Sequence, residues 1–340
     1  MLLLYDLFLR PVLQPALALA WSPDGQLLAV GYGGYGNSPL FPPKDQDLHV
    51  RLWAWPPNGT APVVLSGPQQ RILALTWHPT GRSLYANGEL DQPRLWISGT
   101  WGTDLPFPPV PGYTHPDLLP GYQDFATSPD GHWLVTSGGR DQIANLWDIQ
   151  DPQQPHRIEQ HPPVRTAHEA QFLPNSSTLV LVGAATADTS AGRIWFWDLT
   201  QPDRPLLPLD TQGEDVNTIA VSGTGSWLVG ETVKTSQVRL WDLAHPNQRP
   251  VILSSGTGTG GSPHFSADEH WFATTAGQQV LVWDLHQLQN PPQVLLGAEQ
   301  RVNRVAFHPN SRYLAGSGET GVVYVWDLQA PTNPPILLRH

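Results

Sequence analysis

One recurring segment limits the folds open to this chain more than any other feature of its sequence. A tryptophan sits in a short β-prone run at Trp53, Trp96, Trp147, Trp197, Trp241, Trp283 and Trp326, with successive spacings between 42 and 51 residues. The last copy is the plainest. Arg301-Val302-Asn303-Arg304-Val305-Ala306-Phe307 stops at His308-Pro309-Asn310, and Tyr313-Leu314-Ala315-Gly316-Ser317-Gly318 follows. Val322-Val323-Tyr324-Val325-Trp326-Asp327-Leu328 and Pro335-Ile336-Leu337-Leu338 complete it. Each copy therefore holds four short strand-like runs bounded by turn residues. A sheet of that size cannot cover two apolar faces by itself, so neighbouring copies must cover them. The recurrent tryptophan is accordingly read as packing between copies rather than as a cofactor contact.

The runs Leu146-Trp147-Asp148-Ile149, Trp197-Asp198-Leu199, Leu240-Trp241-Asp242-Leu243, Val282-Trp283-Asp284-Leu285 and Val325-Trp326-Asp327-Leu328 resemble the Trp-Asp signature of WD-repeat propellers. Ser22-Pro23-Asp24-Gly25 and Ser128-Pro129-Asp130-Gly131 resemble that family's turn between the first two strands. The Asp-Leu-x-x-Pro continuation, with Pro202, Pro246 and Pro331, is similar to propellers of large bacterial signalling proteins. The resemblance implies an all-β, seven-bladed β-propeller of four-stranded antiparallel blades, rather than eight blades. Residues 1–340 then form one domain, with 1–15 as a closing strand and lead-in.

The chain departs from the family in its polar positions. Gly67 is followed by Pro68 and Gly297 by Ala298, where the family often carries Gly-His. Asp47 and Asp141 stand where the family has a turn aspartate, but Ala191, Thr235, Gly277 and Thr320 hold the matching places elsewhere. The family's buried hydrogen-bond network should be largely missing, which shifts the burden of stability to apolar packing.

Ring closure has two candidates. Leu7, Phe8 and Leu9 share the phase of an outer strand, and so do Ile336, Leu337 and Leu338. Either one caps the blade of Trp326 as an extra strand, or the chain is part of a longer protein. The phase predicts that residues 2–9 pair in that blade.

Composition narrows function. Net charge is −11 with 18 basic and 29 acidic residues, a balance that disfavours a phosphate backbone as partner. Cysteine is absent, which removes disulfides, thiolate metal sites and thiol catalysis and fits a cytoplasmic setting. The start, Met1-Leu2-Leu3-Leu4-Tyr5-Asp6, lacks a basic region, and no apolar run approaches the length of a membrane span.

Motifs for chemistry are sparse. Gly256-Thr257-Gly258-Thr259-Gly260-Gly261 satisfies a phosphate-loop pattern, but it joins two strands instead of opening a helix. His156, His161 and His168 straddle a Pro162-Pro163 loop, and His78 and His308 precede a proline in the first turn of their copies. His115 with Asp117, and the pairs Asp45/Asp47 and Glu214/Asp215, are read as turn and solvent charges. No catalytic residue, metal ligand or cofactor is assigned.

Breaks in the repeat are more telling. Insertions fall between the second and third strands of blade 1, in the connection from blade 2 to blade 3, and more modestly in blade 4. The first contains Tyr32, Tyr35 and Phe41, the second Tyr113 and His115, and Arg71 precedes the first strand of blade 2. Such aromatics among Gly, Ser and Asn resemble a protein-binding paratope. The opposing reading is that they fold back to seal their own loops. By the resemblance both loop types share one face. The expected function is a non-catalytic protein- or peptide-recognition module, a scaffold or sensor coupled to an effector domain or subunit in a bacterial-type signalling assembly. The alternative is a propeller enzyme or a small-ligand binder using the central channel.

Overall fold

The computed structural model describes residues 15–33, 49–65, 71–88, 94–99, 104–106, 124–137, 144–151, 154–158, 166–175, 177–184, 193–232, 235–253 and 263–339. They form seven four-stranded antiparallel sheets, and no helix occurs among them. Blade 1 holds β1 (Ala16–Trp21), β2 (Leu27–Tyr32), β3 (Val50–Ala54) and β4 (Val63–Leu65). Blade 2 holds β5 (Ile72–Trp77), β6 (Ser83–Gly88), β7 (Arg94–Ile97) and β8 (Asp104–Pro106). Blade 3 holds β9 (Asp124–Thr127), β10 (Trp133–Ser137), β11 (Asn145–Asp148) and β12 (His156–Arg157). Blade 4 holds β13 (Thr166–Phe172), β14 (Thr178–Ala184), β15 (Arg193–Asp198) and β16 (Leu207–Pro208). Blade 5 holds β17 (Val216–Val221), β18 (Trp227–Thr232), β19 (Val238–Asp242) and β20 (Val251–Leu253). Blade 6 holds β21 (His264–Phe265), β22 (Trp271–Ala276), β23 (Gln279–Asp284) and β24 (Gln293–Leu295). Blade 7 holds β25 (Val302–Phe307), β26 (Tyr313–Gly318), β27 (Val323–Asp327) and β28 (Ile336–Leu338).

Every recurrent tryptophan lies on the third strand of its blade, as the repeat predicts. Burial explains why each run suits its place. Second strands are sandwiched on both sides and read as nearly continuous apolar or small runs, such as Leu27–Tyr32 and Tyr313–Gly318. Fourth strands are edges, and Val251, Ile252, Ile336 and Leu337 are exposed there. Those outer strands span three residues or fewer, which limits them as templates for unwanted pairing.

First strands meet in a cycle, β1 with β5, β9, β13, β17, β21, β25 and back to β1. Register shifts recur one or two residues into the strand at Leu17, Leu73, His168, Asn217 and Asn303, each left without a partner by a bulge. A bulge in that place adds twist where the strand enters the ring.

Blade 7 takes its outer strand from β28, which pairs with β27 antiparallel through Val323↔Leu338 and Val325↔Ile336. Blade 1 is complete with its own β1–β4, so among the described residues no blade mixes strands from both ends of the chain. The pairing expected for residues 2–9 lies outside the described residues. Packing closes the ring. Trp21, Leu28, Val30 and Tyr32 share one apolar core with Ala306, Val323, Val325 and Leu338. Trp21 Nε1 donates to Ala306 O at 3.1 Å, and Trp77 Nε1 makes the equivalent bond to Ala20 O across the next seam. Trp55 stands edge-on to both Trp21 and Tyr313, with ring centres 5.4 and 5.0 Å apart.

The described indole bonds are of two kinds. Trp147 Nε1 donates to a second-strand hydroxyl, Thr136 Oγ1, at 3.2 Å. Trp241 and Trp326 instead donate to the backbone carbonyls of Asp210 and Leu296. Thr275 Oγ1 and Ser317 Oγ are buried with no partner among the described residues.

Candidate functional site

The seven first strands enclose a central channel of about 580 Å³. Its wall is mostly small or apolar, including Ala18, Leu73, Ala220 and Val305, so its few polar groups decide what it can do. Glu169 and Gln171 on β13 reach across to blade 5. Ile219 N donates to Glu169 Oε2 at 2.9 Å, Val221 N donates to Gln171 Oε1 at 3.2 Å, and Gln171 Nε2 donates to Ile219 O at 3.0 Å. These side chains satisfy the inner edge of β17 as a neighbouring strand would. They are therefore committed to joining blades. His264 places Nδ1 at 2.9 Å from Phe265 O, which assigns the proton to that nitrogen. Desolvation among the surrounding first strands lowers its pKa, although the side chain keeps solvent exposure. Arg304 is exposed on β25 and lines the same channel.

The face that carries the turns between first and second strands shows how blades recognise each other. His308 Nε2 donates to Gly25 O at 2.9 Å and its Nδ1 accepts from Asn310 N at 3.0 Å. His78 repeats this against Gly131 O at 3.0 Å. Both glycines have positive φ, +70° and +74°, and a Cβ on either would lie within 2.6 Å of the facing imidazole. His78 and His308 are thus turn residues, as the sequence indicates, and they also pin the next blade.

Of the residues assigned to partner binding, Tyr32 requires correction. It is the last residue of β2, pairs with Ala16, and is fully buried in the core that joins blades 1 and 7. The Arg51 guanidinium lies over its ring at 5.2 Å. The strand continues two residues into what reads as the Gly-rich insertion, because β2 is covered on both faces and Tyr32 fills that cover. Arg71 is half-buried directly before β5, and its backbone and Cβ lie so close to Gly33 that a side chain there would overlap them. Tyr35, Phe41, Tyr113 and His115 lie outside the described residues. His168 is the bulged residue of β13, and burial lowers its pKa.

One cluster escaped the sequence reading, which assigns no metal ligand. His270, Asp284 and His286 place one ligand atom each within 4.8 Å of one another. Two of them precede and follow the β22–β23 hairpin, whose register sets Trp271 opposite Asp284. A histidine directly before the second strand and another two residues after the Trp-Asp aspartate is the pattern that would have flagged it.

The described residues make a seven-bladed β-propeller, and part of the chain is similar to WD repeats. The family model described as WD domain, G-beta repeat matches residues 123–148 and 289–327. The chain is 28% identical over 201 residues to the serine-threonine kinase receptor-associated protein of Dictyostelium discoideum, covering 59% of this chain and 64% of that one. It is 27% identical over 103 residues to the target of rapamycin complex subunit LST8 of Bos taurus, covering 29% and 31%. In each case the match spans less than two thirds of the relative's length. The β-propeller domain of Cps50 (Swd1) from Myceliophteria thermophila has the same fold, with a TM-score of 0.70 at 16% identity over 92% of this chain and 97% of that one. These relatives are eukaryotic and give no support to the likeness with bacterial signalling propellers.

Proposed function

We propose that this propeller is a non-catalytic recognition module that binds a protein or peptide partner within a larger, cytoplasmic assembly, as a scaffold or sensor for an effector subunit. The observation that carries this reading is how the inner strands spend their polar side chains. Glu169 and Gln171, the acid and the amide of the channel wall, bond the backbone of β17 instead of facing a substrate. A general base must reach the proton it abstracts, and Glu169 is held on the backbone of β17 instead. The names of the relatives, a receptor-associated protein and a complex subunit, agree with a partner-binding role. The face proposed for the partner is the one expected to bear the blade 1 and blade 2–3 insertions, whose sequences contain Tyr35, Phe41, Tyr113 and His115, together with Arg71.

The test is a variant carrying Tyr35→Ala, Phe41→Ala and Tyr113→Ala, used as bait beside the unaltered chain. An unchanged melting curve with loss of the captured partner supports the surface, since aromatic anchors near an arginine dominate many interfaces. A less stable variant that captures the same partner would show that the rings only seal their loops.

A further inference from the structure

We infer that His270, Asp284 and His286 form a binding site for one divalent transition-metal ion of the zinc class, on the turn face of blade 6. His270 Nε2 lies 3.6 Å from Asp284 Oδ2, and His286 Nδ1 lies 3.6 Å from Asp284 Oδ1. Both separations are too long for hydrogen bonds, so the carboxylate grips neither ring directly. They suit a shared ion: with metal–ligand bonds of about 2.1 Å, donor atoms this far apart subtend roughly 120° at the metal. The two imidazoles lie side by side, ring centres 4.9 Å apart. Two imidazoles and a carboxylate are the donor set that zinc-class ions take, with solvent completing the shell.

The backbone already fixes the two turns that carry these donors. His286 N donates to Asp284 Oδ1 at 2.8 Å, closing the turn after β23, and His270 N donates to Asp268 Oδ1 at 3.1 Å, closing the turn before β22. The side chains remain reachable, with His270 42%, Asp284 21% and His286 68% exposed. The exposed His286 can adjust its rotamer to bring the two ring nitrogens into one coordination sphere.

Blade 7 shows what the ion would do. There Arg312 stands in the place of His270 and Asp327 in that of Asp284. The guanidinium binds the carboxylate in a fork, Nε to Oδ1 at 3.0 Å and Nη2 to Oδ2 at 2.6 Å, and ties the two turns together. In blade 6 a metal ion would supply that cross-link. Blade 5 offers a built-in control, because Asp242 pairs with His245, Ser226 stands in the place of His270 and Ala244 in that of His286.

The experiment uses the full chain stripped of metal and titrated with Zn²⁺ by calorimetry, and with Co²⁺ by visible absorption. Expected are saturable binding of one ion, a tetrahedral cobalt spectrum, and a rise in melting temperature with added Zn²⁺. His270→Ala and His286→Gln should each weaken binding about tenfold or more, and His245→Ala should leave it unchanged. His270→Arg should fold, rebuild the blade 7 pair and lose the metal response. The inference is overturned if the unaltered chain shows no saturable binding, or if His286→Gln, at an exposed position that folding does not need, binds like the unaltered chain.

Discussion

At the seam between blades 7 and 1, His308 fills the space beside a turn glycine, Gly25, and bonds its carbonyl. One seam earlier, between blades 6 and 7, a small Ser266 holds the place of His308, and Ser311 holds the place of Gly25 with a φ of 59°. Ser311 Oγ accepts from Asp268 N at 3.0 Å across that seam. Between blades 5 and 6 the arrangement recurs, with Ser222 opposite Glu269, whose carboxylate accepts from Thr224 N and from Thr224 Oγ1. Left-handed turns favour glycine, yet a side chain is kept there when the neighbouring blade leaves room and offers a partner. Glycine is required where a histidine crosses instead. The residue at a turn is thus set by the blade before it, as well as by its own backbone.

The sharpest way to break this comparison is Gly25→Ala. Its Cβ would lie 2.5 Å from the His308 ring on a backbone of positive φ, and the two effects together should cost about 3 kcal/mol. At Gly81, also left-handed, the nearest atom to a new Cβ is 3.7 Å away, so Gly81→Ala should cost only about 1 kcal/mol. The double variant His308→Ser/Gly25→Ser imitates the seam between blades 6 and 7 and should recover part of the loss. Equal denaturant midpoints for the two single variants would show that backbone strain, not the seam, explains the glycine.

A smaller effect tests the other seam. Ser311→Ala removes the acceptor for Asp268 N and should cost about 0.5–1 kcal/mol by chemical denaturation, with no change in the closure seam. A neutral result would mean that water replaces the bond at no cost.

The smallest effect separates the two seams by pH. The Ser22 hydroxyl, with Gln26 N, holds the Asp24 carboxyl below its usual range, while blade 7 has the non-titrating Asn310 in the same place. A carboxyl whose folded-state pKa is lowered adds stability above the ordinary carboxylate range, and that contribution fades as pH falls through the folded value. Asp24→Asn should therefore reduce the slope of acid destabilisation slightly, whereas Asn310→Asp should increase it. Melting curves between neutral and acid pH check both, and parallel slopes would remove Asp24 from the account.

Much of the architecture was legible in the repeat, because blade formation depends on runs that are close in sequence. The third-strand tryptophans, the turn histidines and the Trp-Asp aspartates all fall where their spacing places them. Tyr32 shows the limit of that reading. Beside a Gly-rich stretch it looks like a loop residue, but burial from both neighbouring blades extends β2 through it. The cluster of His270, Asp284 and His286 was equally hidden, since hairpin register, not sequence distance, brings a residue before one strand next to a residue after the other.

The amino-acid sequence by itself determined that the chain makes seven small sheets and that a tryptophan recurs on the third strand of each. Only the tertiary structure decided that β28 supplies the outer strand of the last blade, that His308 meets Gly25 across the ring, and that Glu169 and Gln171 serve the next blade's backbone. The reason is geometric. Strand periodicity is a local property of side chains, whereas each seam joins residues of different repeats, and the closing seam joins opposite ends of the chain. Which atoms meet there follows from the curvature of the ring, and no spacing in the sequence encodes it.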